Sequence, residues 1–70
     1  MKSLTDFQQR LLDEHKELFE KFIVLGSFIN SDKFSYISDA QQELLQEQWT
    51  IMDEYRAVLA ARIDDLNLHG

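Results

Sequence analysis

The stretch Glu14–Ile29, EHKELFEKFIVLGSFI, decides the fold. Leu18, Phe19, Phe22, Ile23, Leu25, Phe28 and Ile29 recur within it at helical spacing. A surface helix buries a stripe about 100° wide, and this stretch is apolar over more than that. It therefore needs more than one neighbour. Lys16, Lys21 and Gly26 interrupt the apolar set. Gly26 costs about 1 kcal/mol against alanine in a helix. It marks either a close approach by another backbone or ligand, or a tolerated surface glycine.

Upstream, Ser3 and Asp6 fit a capping pattern and predict a helix starting near residue 4. Its seam runs Leu4, Phe7, Leu11, Leu18, Phe22, Leu25, Ile29, and Leu12, Phe19 and Ile23 widen it. Arg10/Glu14, Lys16/Glu20 and Glu17/Lys21 are expected ion pairs at i,i+4. Downstream, Asn30-Ser31-Asp32 ends the helix. Residues 33–37 form a short connection of about one helical turn, with Phe34 and Ile37 folded back under the hairpin end. Ser38 caps a second helix reciprocally with Gln41.

That helix is expected from about Asp39 to Leu66, with the seam Leu45, Gln48, Met52, Tyr55, Leu59, Arg62 and Leu66 on heptad-like spacing. Trp49 and Ile63 broaden it, and Leu44, Ile51 and Val58 form a further stripe. Residues 67–70 are expected to fray. Two helices of similar length with a short connection pack antiparallel. Phe19, Trp49, Ile51 and Val58 would then be exposed, and contiguous apolar patches are usually interfaces. The expected fold is all-α: an antiparallel two-helix hairpin with a short helical turn in the connection, assembled into a helical homo-oligomer. Residues 1–70 form a single domain.

Seventy residues make a domain that is marginal alone. With no cysteine there is neither a disulfide framework nor a thiolate zinc site. No apolar run reaches the roughly 20 residues of a membrane span, and MKSLTDFQQR lacks a signal-peptide core. A cytoplasmic protein is expected, without membrane association.

The net charge of −6 disfavours nucleic-acid backbones unless the few basic groups gather in one place. A DNA-binding helix-turn-helix needs a short basic second helix, so DNA is not an expected partner. Acids and bases are interleaved, which also makes a poor imitation of DNA. The Glu-x-x-His motif of di-iron bundles is absent. Asp65/His69 is an isolated pair, and no phosphate-binding glycine loop occurs. No metal, cofactor or catalytic residue is expected, and the chain reads as a non-enzyme.

Polar residues inside the seam carry the chemistry. Arg62 stands where leucine is expected, and an arginine is costly to bury unpaired. It either pairs with Asp64, Asp65 or a facing carboxylate, or meets an anionic ligand between subunits, since guanidinium suits phosphate. Lys21 either pairs with Glu17 or does likewise. Phe7 and Tyr55 are core aromatics or stacking platforms. An aromatic beside a cation is the usual way to hold a nucleobase and its phosphate.

The ordered set Phe7, Gln8, Arg10, Leu11, Glu14, Leu18, Lys21, Phe22, Leu25, Phe28, Ile29, then Leu44, Leu45, Gln48, Met52, Tyr55, Leu59, Arg62, Ile63, resembles the phage anti-CBASS cyclic-oligonucleotide sponges. Their helical hairpin domain is shared with an anti-Thoeris sponge family. The resemblance spans about Leu4 to Leu66. It implies a homohexamer in the host cytoplasm that binds cyclic dinucleotides, and cyclic trinucleotides at separate pockets, without cleaving them. It implies that Phe7 and Lys21 serve the dinucleotide pocket and Arg62 the trinucleotide phosphates. Phe7 departs from the tyrosine of one member, keeping the stacking face and losing the hydroxyl. The candidate ligand-binding set is Phe7, Arg10, Lys21, Gly26, Tyr55 and Arg62. The alternative is a helical oligomerisation protein that blocks a protein partner.

Overall fold

In the computed structural model, which describes residues 5–68, helix α1 spans Asp6–Ile29. A 3-10 helix covers Asp32–Tyr36 and helix α2 spans Asp39–Asp65. The two long helices pack antiparallel into a rod of 52 × 17 × 16 Å. This is the expected all-α hairpin with a helical turn in its connection.

Local chemistry sets each boundary. The start of α1 falls at Asp6 rather than residue 4, because Thr5 and Gln8 close a full capping box. The Thr5 hydroxyl accepts from the Gln8 N–H at 3.1 Å, and the Gln8 amide oxygen accepts from the Thr5 N–H at 3.2 Å. A glutamine three residues on is long enough to reach back. The expected Ser3 cap and Leu4 lie outside the described residues.

At the other end, the Asn30 amide donates to the Gly26 carbonyl at 2.9 Å, and the Ser31 hydroxyl donates to the Phe28 carbonyl at 2.6 Å. These side chains satisfy carbonyls left orphaned by helix termination. Phe34 folds back as expected and meets Phe28 edge-on, 6.1 Å between centroids. Ser38 accepts from the Gln41 N–H at 3.2 Å, but the return bond from Gln41 is not made. Instead the neighbouring Gln42 amide donates to the Ile37 carbonyl at 3.1 Å.

The end of α2 does not fray as far as it is described. Asn67 takes a left-handed conformation, φ 54°. The Leu68 N–H reaches the Ile63 carbonyl at 3.1 Å and the Asn67 N–H the Asp64 carbonyl at 3.0 Å. Those two bonds make a Schellman motif, with asparagine in the usual glycine position. Leu68 packs back on the core and completes it. His69 and Gly70, and so the Asp65/His69 pair, lie outside the described residues.

The inward seam of α2 differs from the expected one at alternate positions. Leu45, Trp49, Met52, Arg56, Leu59 and Ile63 face α1, while Gln48, Tyr55, Arg62 and Leu66 are exposed. The true seam steps by four and three, as a heptad seam does. Trp49 and Ile63 win their positions because they bury more apolar surface than Gln48 and Arg62. Arg56 is the unexpected member. Its guanidinium lies 5.6 Å from the Phe22 ring centre and 5.9 Å from that of Phe19, and it pairs with Asp53 at 2.7 Å. An arginine stem covers apolar surface while its head stays neutralised.

Among the described residues the fully buried hydrophobics are Leu11, Leu59 and Ile63. Burying such a side chain stabilises by about 1.5–3 kcal/mol, so three of them make a small core. The middle of the hairpin is held by Trp49, stacked on Phe22 at 4.7 Å, with its indole N–H donating to the Phe22 carbonyl at 3.1 Å. Trp49 is thus half-buried within the hairpin rather than part of the surplus surface. Phe19, Ile51 and Val58 are exposed as expected, joined by Ile23, Val24, Leu44 and Tyr55. The expected pairs Arg10/Glu14, Lys16/Glu20 and Glu17/Lys21 do not close to within 4 Å, consistent with the small stabilisation exposed pairs provide.

Candidate ligand-binding groove

The antiparallel packing brings the first turn of α1 against the last turn of α2. There Phe7 and Arg62 meet, with the Arg62 guanidinium 5.5 Å from the Phe7 ring centre. Phe7 remains 58% exposed, so much of its ring is open to a ligand. Together with Val58, Ala61, Asp65 and Leu66 they line an open groove of about 450 Å³. The walls are apolar, and Arg62 is the cation among them. Arg62 makes no ion pair with Asp65 and lies over the aromatic ring instead. A cation at the C-terminal turn of a helix also complements the helix dipole. A planar π-surface and a five-donor cation side by side can hold a base and a phosphate.

The other candidates lie elsewhere. Arg10 is exposed one turn along α1 from Phe7 and does not line the groove. Tyr55 is exposed two turns back from Arg62, about 10 Å along α2. Lys21 is exposed, two heptads beyond Phe7 on the same stripe and so about 21 Å away. Phe7 and Lys21 of one chain therefore cannot contact the same small ligand. Gly26 is buried, and the close approach it permits is that of Trp49. A β-carbon at Gly26 would sit 3.0 Å from the indole nitrogen.

Asp65 and Ala61 are groove residues that sequence reasoning did not select for binding. Their signal is spacing: Val58, Ala61, Arg62, Asp65 and Leu66 fall at i, i+3, i+4, i+7 and i+8, one face of a helix. Among the described residues no group of three or more His, Asp or Glu could hold a metal ion. Nor is any helix there long and apolar enough to cross a membrane.

Comparison with known proteins agrees with this small helical unit. An uncharacterized 7.5 kDa protein in the denB-rIIB intergenic region of Enterobacteria phage T4 is 37% identical over 57 residues, covering 81% of this chain and 89% of the phage protein. No solved structure matches. The Sequestin family model matches residues 5–65. That match begins at the Thr5 cap and ends with the last residue of α2, taking in both walls of the groove; the chain belongs to the Sequestin family.

Proposed function

We propose that the chain is a non-catalytic sponge. It binds cyclic oligonucleotide second messengers, cyclic dinucleotides and cyclic trinucleotides, in the host cytoplasm and so silences antiphage CBASS signalling. The observation that carries this reading is the Arg62 guanidinium over the exposed Phe7 ring, in an apolar groove of a chain with net charge −6. Aromatic stacking contributes about 1–3 kcal/mol per base, and guanidinium is suited to phosphate. Membership of a family named for sequestration, and a relative in a phage, support the same reading.

The sponge acts as a homo-oligomer, with the hexamer implied by the sequence resemblance as the expected assembly. Leu44, Gln48, Ile51, Tyr55, Val58 and Arg62 form a second heptad stripe on α2, exposed along its length beside the buried one. A second copy covers that stripe, and symmetry multiplies the few cations at each axis. Calorimetry with cyclic dinucleotides and cyclic tri-adenylate, followed by recovery of ligand after denaturation, tests the reading. Tight binding and intact ligand are expected. No binding to any of them, or cleaved ligand, overturns it.

The exposed Leu44/Ile51/Val58 stripe also suits a second reading, a helical interaction protein that occludes a protein partner. It predicts capture of that partner and no nucleotide affinity.

A further inference from the structure

We infer that Asp65 makes the groove select guanine. The inference rests on the sponge reading and names the base it prefers. A groove for a phosphate-bearing ligand has one feature that works against such a ligand, the acidic Asp65 beside Phe7 and Arg62. Asp65 is exposed and not paired with Arg62, whose guanidinium is engaged by the ring. It also sits in the last turn of α2, where the helix dipole disfavours negative charge. Neither fold nor phosphate binding gains from an acid there.

A ligand that supplies donors turns the same group into an attraction. An ionised carboxylate is acceptor-only and receives two parallel hydrogen bonds. Among the common bases guanine offers that pair, its ring N1–H and exocyclic N2 amine lying side by side on one edge. Adenine and cytosine each place a donor beside an acceptor there, and uracil places its single N–H between two carbonyls. A base stacked on Phe7 is one helical turn or less from groups on the facing α2 surface, where Arg62 and Asp65 are three residues apart and share a face. Arg62 takes phosphate and Asp65 takes the guanine edge. Adenine at the same place sets its ring acceptor against the carboxylate, which is repulsive. One well-made bidentate base contact discriminates by about tenfold or more.

Calorimetry on the intact oligomer with cyclic di-GMP and cyclic di-AMP tests this, using wild type, Asp65→Asn and Asp65→Ala. Both substitutions remove a charge that opposes the helix dipole at an exposed site, so the hairpin stays folded, as circular dichroism will verify. Wild type is expected to favour cyclic di-GMP at least tenfold. Both variants are expected to erase that preference by losing affinity for cyclic di-GMP while holding or gaining affinity for cyclic di-AMP. Equal wild-type affinity for the two ligands, a preference that survives in the variants, or equal weakening of both ligands overturns the guanine assignment and leaves the sponge reading standing. Wild type that binds neither ligand, nor cyclic tri-adenylate, overturns both.

Discussion

The Phe22 ring lies flat against the Trp49 indole, with 4.7 Å between centroids and 6° between planes, and the indole N–H donates to the carbonyl of that same Phe22 at 3.1 Å. One residue of α1 therefore receives both the face and the edge of one residue of α2. The contact fixes how the helices slide and rotate on each other. Gly26, one turn on, leaves the space the indole occupies.

Gly26→Ala tests that fit. Alanine gains about 1 kcal/mol of helix propensity, but its β-carbon would lie 3.0 Å from the indole nitrogen. The indole is held by stacking and by its hydrogen bond, so it yields only by losing one of them. Overpacking of this kind costs about 1–3 kcal/mol. A net loss of about 1 kcal/mol is expected in urea denaturation. A gain in stability would show that Trp49 moves freely.

Trp49→Phe separates the two halves of the contact. It keeps an aromatic face for Phe22 and removes the donor. The expected loss is about 1 kcal/mol, the net value of a hydrogen bond. Trp49→Ala should cost about 3 kcal/mol or more, because it also removes the packing. Similar losses for the two variants would show that stacking contributes little.

Arg56 divides in the same way. Its ion pair with Asp53 is partly exposed, and such pairs contribute about 0–1 kcal/mol. Its contacts with Phe19 and Phe22 cover apolar surface. Asp53→Asn is therefore expected to cost under about 0.5 kcal/mol, and Arg56→Ala about 1–2 kcal/mol. A double-mutant cycle reads the pair's own share. A coupling that matches the whole Arg56→Ala loss would place the stabilisation in the ion pair instead.

These positions also show where the sequence was legible. The helix ends were, because Asn30-Ser31-Asp32 and Ser38 are turn and cap chemistry readable residue by residue. The hairpin was, because both helices carry apolar stripes. The rotation of α2 was not. Two heptad stripes, Leu45/Trp49/Met52/Arg56/Leu59/Ile63 and Leu44/Gln48/Ile51/Tyr55/Val58/Arg62, lie side by side. Both contain an arginine, so periodicity alone does not choose between them. The choice falls to long-range facts, the space at Gly26 for Trp49 and the two rings that accept Arg56. The groove was half legible for the same reason: Phe7 and Arg62 stand out as single residues, but their meeting depends on that rotation.

Arg62→Ala removes the cation of the groove. Arg62 is exposed, so the fold should hold, with a loss near the 0.5–1 kcal/mol of an exposed cation–π contact, roughly. Binding of cyclic tri-adenylate is expected to fall about tenfold or more, since a charge-assisted contact to phosphate contributes about 1.5–3 kcal/mol. Calorimetry at two salt concentrations should show a shallower salt dependence in the variant. Unchanged affinity would remove Arg62 from the phosphate site.

Phe7 and Lys21 set the sharpest test of assembly. They lie about 21 Å apart on one helix, and α1 is continuous between them. If both serve one cyclic dinucleotide, as the sequence resemblance implies, each site takes Phe7 from one chain and Lys21 from another. Phe7→Ala and Lys21→Ala oligomers should then each bind weakly. Unfolding and refolding the two variants together at equal amounts lets subunits mix. A site then receives a native Phe7 with probability one half and a native Lys21 with probability one half, so about a quarter of sites recover. Calorimetric stoichiometry near that fraction, at wild-type affinity, is the expected outcome. If each residue acts at a separate site within its own chain, mixing recovers about half of each site type, and each parent variant already retains the other type in full. If neither contributes, the parent variants bind as wild type does. The recovered fraction thus reports whether the pocket exists in one chain or only between two.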